Sequence, residues 1–178
     1  MLGLLRKNVI DYSHRQLQKK FWHNFSSNPY HQWILQDRYI ANALEEFFKM
    51  LPSSVLVFFQ KRKPLLLLHS YGKYSCAVAN IDAYVIIVFP ELREMLHSFG
   101  QRASAFAVLA HELGHIIFEH GLKNIDPLVA QLQADHFAVQ LGLRRELLRF
   151  LRQQPQSSEV KTRIDSLLKC SKTTYSAV

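Results

Sequence analysis

Cysteine is scarce in this chain. Cys76 and Cys170 are its only two, and they form no CxxC pair. A disulfide-stapled scaffold is therefore excluded, and both thiols are expected to be free and reduced. Glycine and proline number only six each among 178 residues, which excludes collagen-like and linker-dominated architectures. Internal repeats and low-complexity tracts are lacking too. No apolar run reaches the ~18–20 residues that span a bilayer; the longest, from Ala103 to Phe118, is interrupted by His111, Glu112 and His115. The N-terminal stretch Met1-Leu-Gly-Leu-Leu-Arg-Lys lacks the apolar length and the cleavage site of a signal peptide. The expectation is a protein that is cytoplasmic or peripheral to a membrane.

Apolar residues make up 48% of the chain and charged residues 20%, enough for a real core and too apolar for wholesale disorder. Acidic residues are the minority: 14 against 22 basic ones, a net charge of +8. The imbalance is uneven. Residues 1–63 carry 10 Lys/Arg against 4 Asp/Glu, residues 64–120 carry 3 against 5, and residues 121–178 carry 9 against 5. Basic flanks suit an acidic partner or an anionic surface. However, neither a zinc finger nor a helix-turn-helix is readable, so no nucleic-acid partner is expected. Residues 1–25 form an amphipathic basic pattern suited to peripheral membrane contact.

Periodicity divides the chain into three parts. Residues 1–25 and about 32–50 read as helices, broken by Ser26-Ser-Asn-Pro29 and ended by Pro52. They form a helical N-terminal region, residues 1–50, with the character of a prosegment, lid or anchor. Val55–Phe59 and Leu65–His69 read as a hairpin around Gln-Lys-Arg-Lys-Pro, followed by strands at Tyr74–Ala79 and Ala83–Phe89. A short helix follows Pro90, and from Ala103 onward everything reads as helix. Gly121 stands where a helix would end in a left-handed residue, Asp126-Pro127 opens the next helix, and Gly142 closes it. The fold class is α+β, with a small, mostly antiparallel sheet and a C-terminal helical part. Residues 51–178 form the second unit.

His111-Glu112-Leu113-Gly114-His115 is an HExxH motif on a helix flanked by apolar residues. The i,i+4 spacing places both imidazoles on one face, where they can hold zinc at ~2.0–2.1 Å per nitrogen. Glu112 stands beside them, able to take a proton from an activated water. Two histidines and a glutamate on a buried helix are costly without partners, and a metal would satisfy all three. A catalytic zinc wants a third ligand. The metzincin continuation needs a glycine at 118 and a histidine at 121, where this chain has Phe118 and Gly121. His120 would be turned ~140° from His115 on a continuous helix, which makes it a poor ligand. Gln131 and Asp135, at i,i+4 on the following helix, are better placed. Gly114 would let that helix come close.

Ala107-Val-Leu-Ala-His-Glu-Leu-Gly-His115 resembles the metal helix of the HtpX-like and CaaX-prenyl-protease-like zinc metallopeptidases and their small soluble relatives, the minigluzincins. Three further stretches are similar. They are the strand Tyr84–Phe89 with the Leu-rich helix after it, Gln131–Ala138 at the place of the family's ExxxD motif, and Pro155-Gln-Ser-Ser leading to Arg163-Ile164. The likeness covers about residues 80–168. It implies a zincin-like (gluzincin) core whose sheet edge binds an extended peptide or protein substrate, with Asn80 before the edge strand as a candidate backbone contact. It implies an endopeptidase in which His111 and His115 bind zinc, Glu112 is the general base, Asp135 orients a ligand histidine and Arg163 is a candidate transition-state donor. One departure matters: the family's third ligand is a glutamate, and here that position is Gln131. Three readings stay open. Gln131 coordinates through its amide oxygen, Asp135 enters the metal's coordination sphere, or the metal binds poorly and the fold serves as an inactive binding module.

Overall fold

The computed structural model describes residues 2–70, 75–79 and 82–170, with side chains described from 13 to 70 and from 82 to 170. Asn80 and the side chain of Cys76 lie outside these residues; Cys170 is a free thiol.

The first helix, α1 (Leu2–Ser26), ends where the sequence breaks. Asn28 then caps a short 3-10 turn at Pro29–His31 by accepting from the Tyr30 amide. The expected single helix over 32–50 is two, α2 (Gln32–Leu35) and α3 (Arg38–Lys49). Asp37 causes the split: its backbone is extended and its carboxylate accepts from the amides of Tyr39 and Ile40. An aspartate with two free amides ahead of it caps a new helix better than it continues an old one.

Val55–Phe59 is not a strand. It lies inside α4 (Ser53–Lys61), with Val55, Leu56 and Phe59 buried. A five-residue apolar run has no period of its own that separates a strand from a buried helix. The hairpin expected with Leu65–His69 therefore does not exist. Strand β1 (Leu65–His69) pairs instead in parallel with β3 (Tyr84–Val88), which pairs antiparallel with β2 (Ser75–Ala79). The strand order is β1-β3-β2. The sheet is thus mixed, correcting the expectation of a mostly antiparallel one. The strand after Asn80 is its centre rather than its edge. The outer side of β1 is partly covered: Leu67 donates its amide to His31 Nε2 at 3.0 Å, and its carbonyl accepts from Trp33 Nε1 at 3.1 Å.

Helix α5 (Pro90–His97) leads into α6 (Arg102–Ile117), which is buried along nearly its whole length. Its left-handed C-terminal residue is Glu119 (φ 58°, ψ 37°), not Gly121, which falls inside a 3-10 turn at His120–Leu122. Helix α7 (Pro127–Gln140) opens as expected at Asp126, whose side chain accepts from the Val129 amide, and closes at Gly142 with φ 81°. Two further helices, α8 (Arg144–Arg152) and α9 (Ser158–Lys169), complete the chain.

One cluster of buried apolar side chains runs from Phe21 and Phe25 of α1 through Phe47, Leu56, Ile86 and Leu113 to Leu167. The second half of α1 is docked on it by aromatic contacts, Phe21 against Phe48 and Phe59 and Phe25 against Phe48. No described helix is long and apolar enough to cross a membrane. Mixed helix and strand, as the α+β expectation required, is what the described residues form.

Candidate metal centre

The site is built on the crossing of α6 and α7. Gly114 makes the crossing tight: a Cβ there would lie 2.8 Å from Ala134 Cα and 3.0 Å from its carbonyl oxygen. Only a glycine permits that approach. It brings His111, Glu112 and His115 of α6 against Gln131 and Asp135 of α7.

His111 and His115 project from one face as the i,i+4 spacing predicts, with their Nε2 atoms 3.1 Å apart. Two nitrogens held ~2.0–2.1 Å from one tetrahedral zinc would be separated by about 3.3 Å. The pair is therefore close to the spacing two nitrogens on one metal would take, and also within hydrogen-bond reach of each other. Behind His111, the Asp135 carboxylate lies 2.8 Å from Nδ1. Arg163 of α9 grips the same carboxylate through both oxygens, at 2.7 and 2.8 Å. Asp135 is 2% exposed and His111, Glu112 and Arg163 are 8–9% exposed, so the network is largely buried. Burial pushes the Asp135 carboxyl up, but hydrogen bonds from His111 and Arg163 and the charge of the Arg163 guanidinium together hold it below its ordinary value. A carboxylate in that state only accepts. His111 Nδ1 accordingly carries the proton, and its Nε2 lone pair faces the site.

His115 is held neutral: burial first, then the neighbouring His111, His120 and Arg163, lower its pKa to about 3. Its Nδ1 lies 2.8 Å from His120 Nδ1, and His120 Nε2 lies 2.9 Å from Gln133 Oε1. Spacing arguments dismissed His120 because they assumed that α6 continued to it. The helix stops at Ile117, and the left-handed Glu119 folds His120 back.

A cleft of about 260 Å³ opens beside the pair. His111, Glu112, Gln131 and Arg163 line it together with apolar Val108, Leu147, Phe150 and Val160. Gln131 Oε1 is buried there with no hydrogen-bond partner. An orphaned amide oxygen costs about 1–3 kcal/mol unless something meets it.

The sequence-derived candidates are thus brought together, in distinct positions. His111 and His115 converge on each other, Gln131 and Glu112 line the adjoining cleft, and Asp135 stands behind His111 with both oxygens engaged. Arg163 spends Nε and one terminal nitrogen on Asp135, and its other terminal nitrogen is 3.8 Å from Glu159. Asp135 does not pair with Arg144, which hydrogen-bonds the carbonyls of Leu167 and Leu168. Among the described residues no group of three His, Cys, Asp or Glu side chains could hold one ion. The groups left facing the site are the two imidazoles and, on the cleft wall, the unmet amide oxygen of Gln131.

Scans against protein-family models, curated proteins and solved structures each return no match.

Proposed function

We propose that this protein is a zinc-dependent endopeptidase. His111 and His115 would hold the metal, with Gln131 as the third donor. The observation that carries the reading is the pair of Nε2 atoms 3.1 Å apart, one of them committed as a lone pair by Asp135. Bound zinc would supply Lewis-acid polarisation of a scissile carbonyl and a lowered pKa for water. Glu112, beside the pair and on the cleft wall, takes the proton of the attacking water and returns it to the leaving amine. Asp135 fixes the ring and tautomer of His111, and Arg163 holds Asp135 in place, a positioning role. An extended substrate would add to the sheet at β2, because His31 and Trp33 already occupy the outer side of β1 at Leu67.

Gln131 favours a second reading. An amide oxygen is a weaker zinc ligand than a carboxylate and leaves the site one negative charge short. On that ground the chain would be an inactive metallopeptidase-like binding module.

Elemental analysis of untagged protein, beside His115→Ala, tests the metal. Near one zinc per chain, lost in the variant, supports the site; no zinc in modest excess of the ion removes it. Peptide cleavage that disappears in Glu112→Gln while zinc stays supports the enzyme. Zinc affinity and cleavage that arise only after Gln131→Glu support the binding module.

A further inference from the structure

We infer that His120 and Gln133 form a relay that sets the tautomer of His115 and so prepares its Nε2 to accept a metal. This inference rests on the metal-site reading and adds to it two positioning residues that lie outside the HExxH motif and the 131–138 segment's matching positions.

The argument is one of proton counting. A neutral imidazole carries one proton, so one nitrogen donates and the other accepts. His115 Nδ1 and His120 Nδ1 are 2.8 Å apart, so one of the two must donate to the other. If His120 donated, His115 would carry its proton on Nε2. That N–H would point at His111 Nε2, 3.1 Å away, as an imidazole–imidazole hydrogen bond. The metal position would then be filled by a proton. The far side of His120 decides between the two states. Its Nε2 lies 2.9 Å from Gln133 Oε1, an acceptor. His120 therefore donates from Nε2 to Gln133 and accepts at Nδ1. His115 donates from Nδ1, and its Nε2 keeps a lone pair that faces the His111 Nε2 lone pair across 3.1 Å, a protonless contact that a cation would relieve. Asp135 enforces the matching tautomer on His111 from the other side. The two ligand histidines thus receive the same instruction from chemically different sources, a buried carboxylate and a neutral His–Gln chain.

The fold places this relay deliberately. Helix α6 ends at Ile117, and the return to His115 requires the left-handed conformation at Glu119, which a non-glycine residue adopts at some energetic cost. Arg62, from the end of α4, pairs with the Glu119 carboxylate and anchors that turn. Lys123 Nζ donates to the Phe118 carbonyl at 2.7 Å and secures the same helix end. Gln133 comes from α7, so the relay ties the end of α6 to the helix that also carries Asp135.

The test uses the full chain with 15N-labelled histidine, first free of metal. Long-range 15N–1H correlation spectra read the tautomer of His115, and competition against a chromophoric chelator reads zinc affinity. Wild-type His115 should be the Nδ1–H tautomer. His120→Phe, which removes the acceptor, should shift it toward Nε2–H and weaken zinc binding ~10–100-fold. His120→Asn, which restores an acceptor oxygen, should recover part of that loss. Gln133→Glu, an acceptor only, should keep the Nδ1–H tautomer. An Nε2–H tautomer in the wild-type protein, or an unchanged tautomer and affinity in folded His120→Phe, would overturn the inference. If the tautomer shifts as expected but the wild-type chain takes up no zinc, the assignment of the relay stands and the metal reading fails.

Discussion

The molecule buries histidines in two ways. His31 is fully buried, stacked on Phe25 with ring centroids 3.8 Å apart. Its Nδ1 donates to the Phe25 carbonyl at 2.6 Å, and its Nε2 accepts the Leu67 amide at 3.0 Å. Both nitrogens are spent on backbone, and the ring pins the end of α1 to the outer side of β1. His111 and His115 each engage only Nδ1 with a group outside the pair. Asp135 and His120 take the Nδ1 atoms, and the Nε2 atoms are turned toward each other. A buried histidine satisfied at both nitrogens by backbone holds a fold together; under the proposed reading, a buried pair whose Nε2 atoms face each other is the one open to a cation. Burial alone does not separate the two cases, but the destination of each nitrogen does.

The sharpest way to break this comparison is chemical. Glu112→Gln should lower peptide cleavage ~10²–10⁴-fold, the usual worth of a general base, with zinc per chain unchanged. Retained cleavage would leave the His111–His115 centre without the role assigned to it.

Next comes an exchange between the two regions. His31→Ala removes a buried ring and orphans a carbonyl and an amide, which should cost about 3 kcal/mol in denaturant unfolding. The folded variant should still bind zinc. His115→Ala should do the reverse, with metal lost and metal-free stability little changed. If both variants lose stability and metal alike, the two histidine types are not distinct.

Gly114→Ala should cost about 2 kcal/mol through overpacking. Because the crossing of α6 and α7 carries the site, it should also weaken zinc binding, which His31→Ala should not.

The smallest effect is in pH. His31 has its pKa lowered by burial, against a raising hydrogen bond to Phe25. The unfolded chain therefore takes up this proton first, so the stability His31 contributes is complete above its ordinary value of ~6.5. It is lost progressively as pH falls below that. Asp135, held low, behaves as a carboxylate should: its contribution is full above ~3.9 and lost as pH falls through its folded value. His31→Leu should make the decline below about pH 6.5 shallower, the remainder belonging to His115, whose pKa is lowered to about 3. A slope unchanged by the substitution would mean that His31 does not titrate between the two states.

Much of the site is legible in the chain itself. The i,i+4 spacing of His111 and His115 holds on any regular helix, so their convergence follows once α6 forms. Asp126-Pro127 and Gly142 bracket α7 by local capping chemistry, and Gly114 announces a close approach before its partner is known. Other features were not legible. Val55–Phe59 has the composition of a strand and the burial of a helix, because packing overrides propensity in a short apolar run. The parallel pairing of β1 with β3 depends on strands that are not consecutive, so no local turn signals it. His120 looked misplaced because a wheel drawn through α6 assumes a helix that continues. A glutamate in the left-handed region, steadied by Arg62 from a distant helix, has no mark in the local sequence.

The amino-acid order alone settled what is governed by nearest neighbours: the helix that carries HExxH, the face its histidines share, and the caps of α7. The tertiary structure decided what depends on groups far apart in the chain. Asp135 paired with Arg163 from α9, Gln131 was left with an unmet oxygen, and His120 came to lie between His115 and Gln133. Local preferences are set by steric and hydrogen-bond rules within a few residues, whereas the partner of each buried polar atom is set by which helices the core brings together.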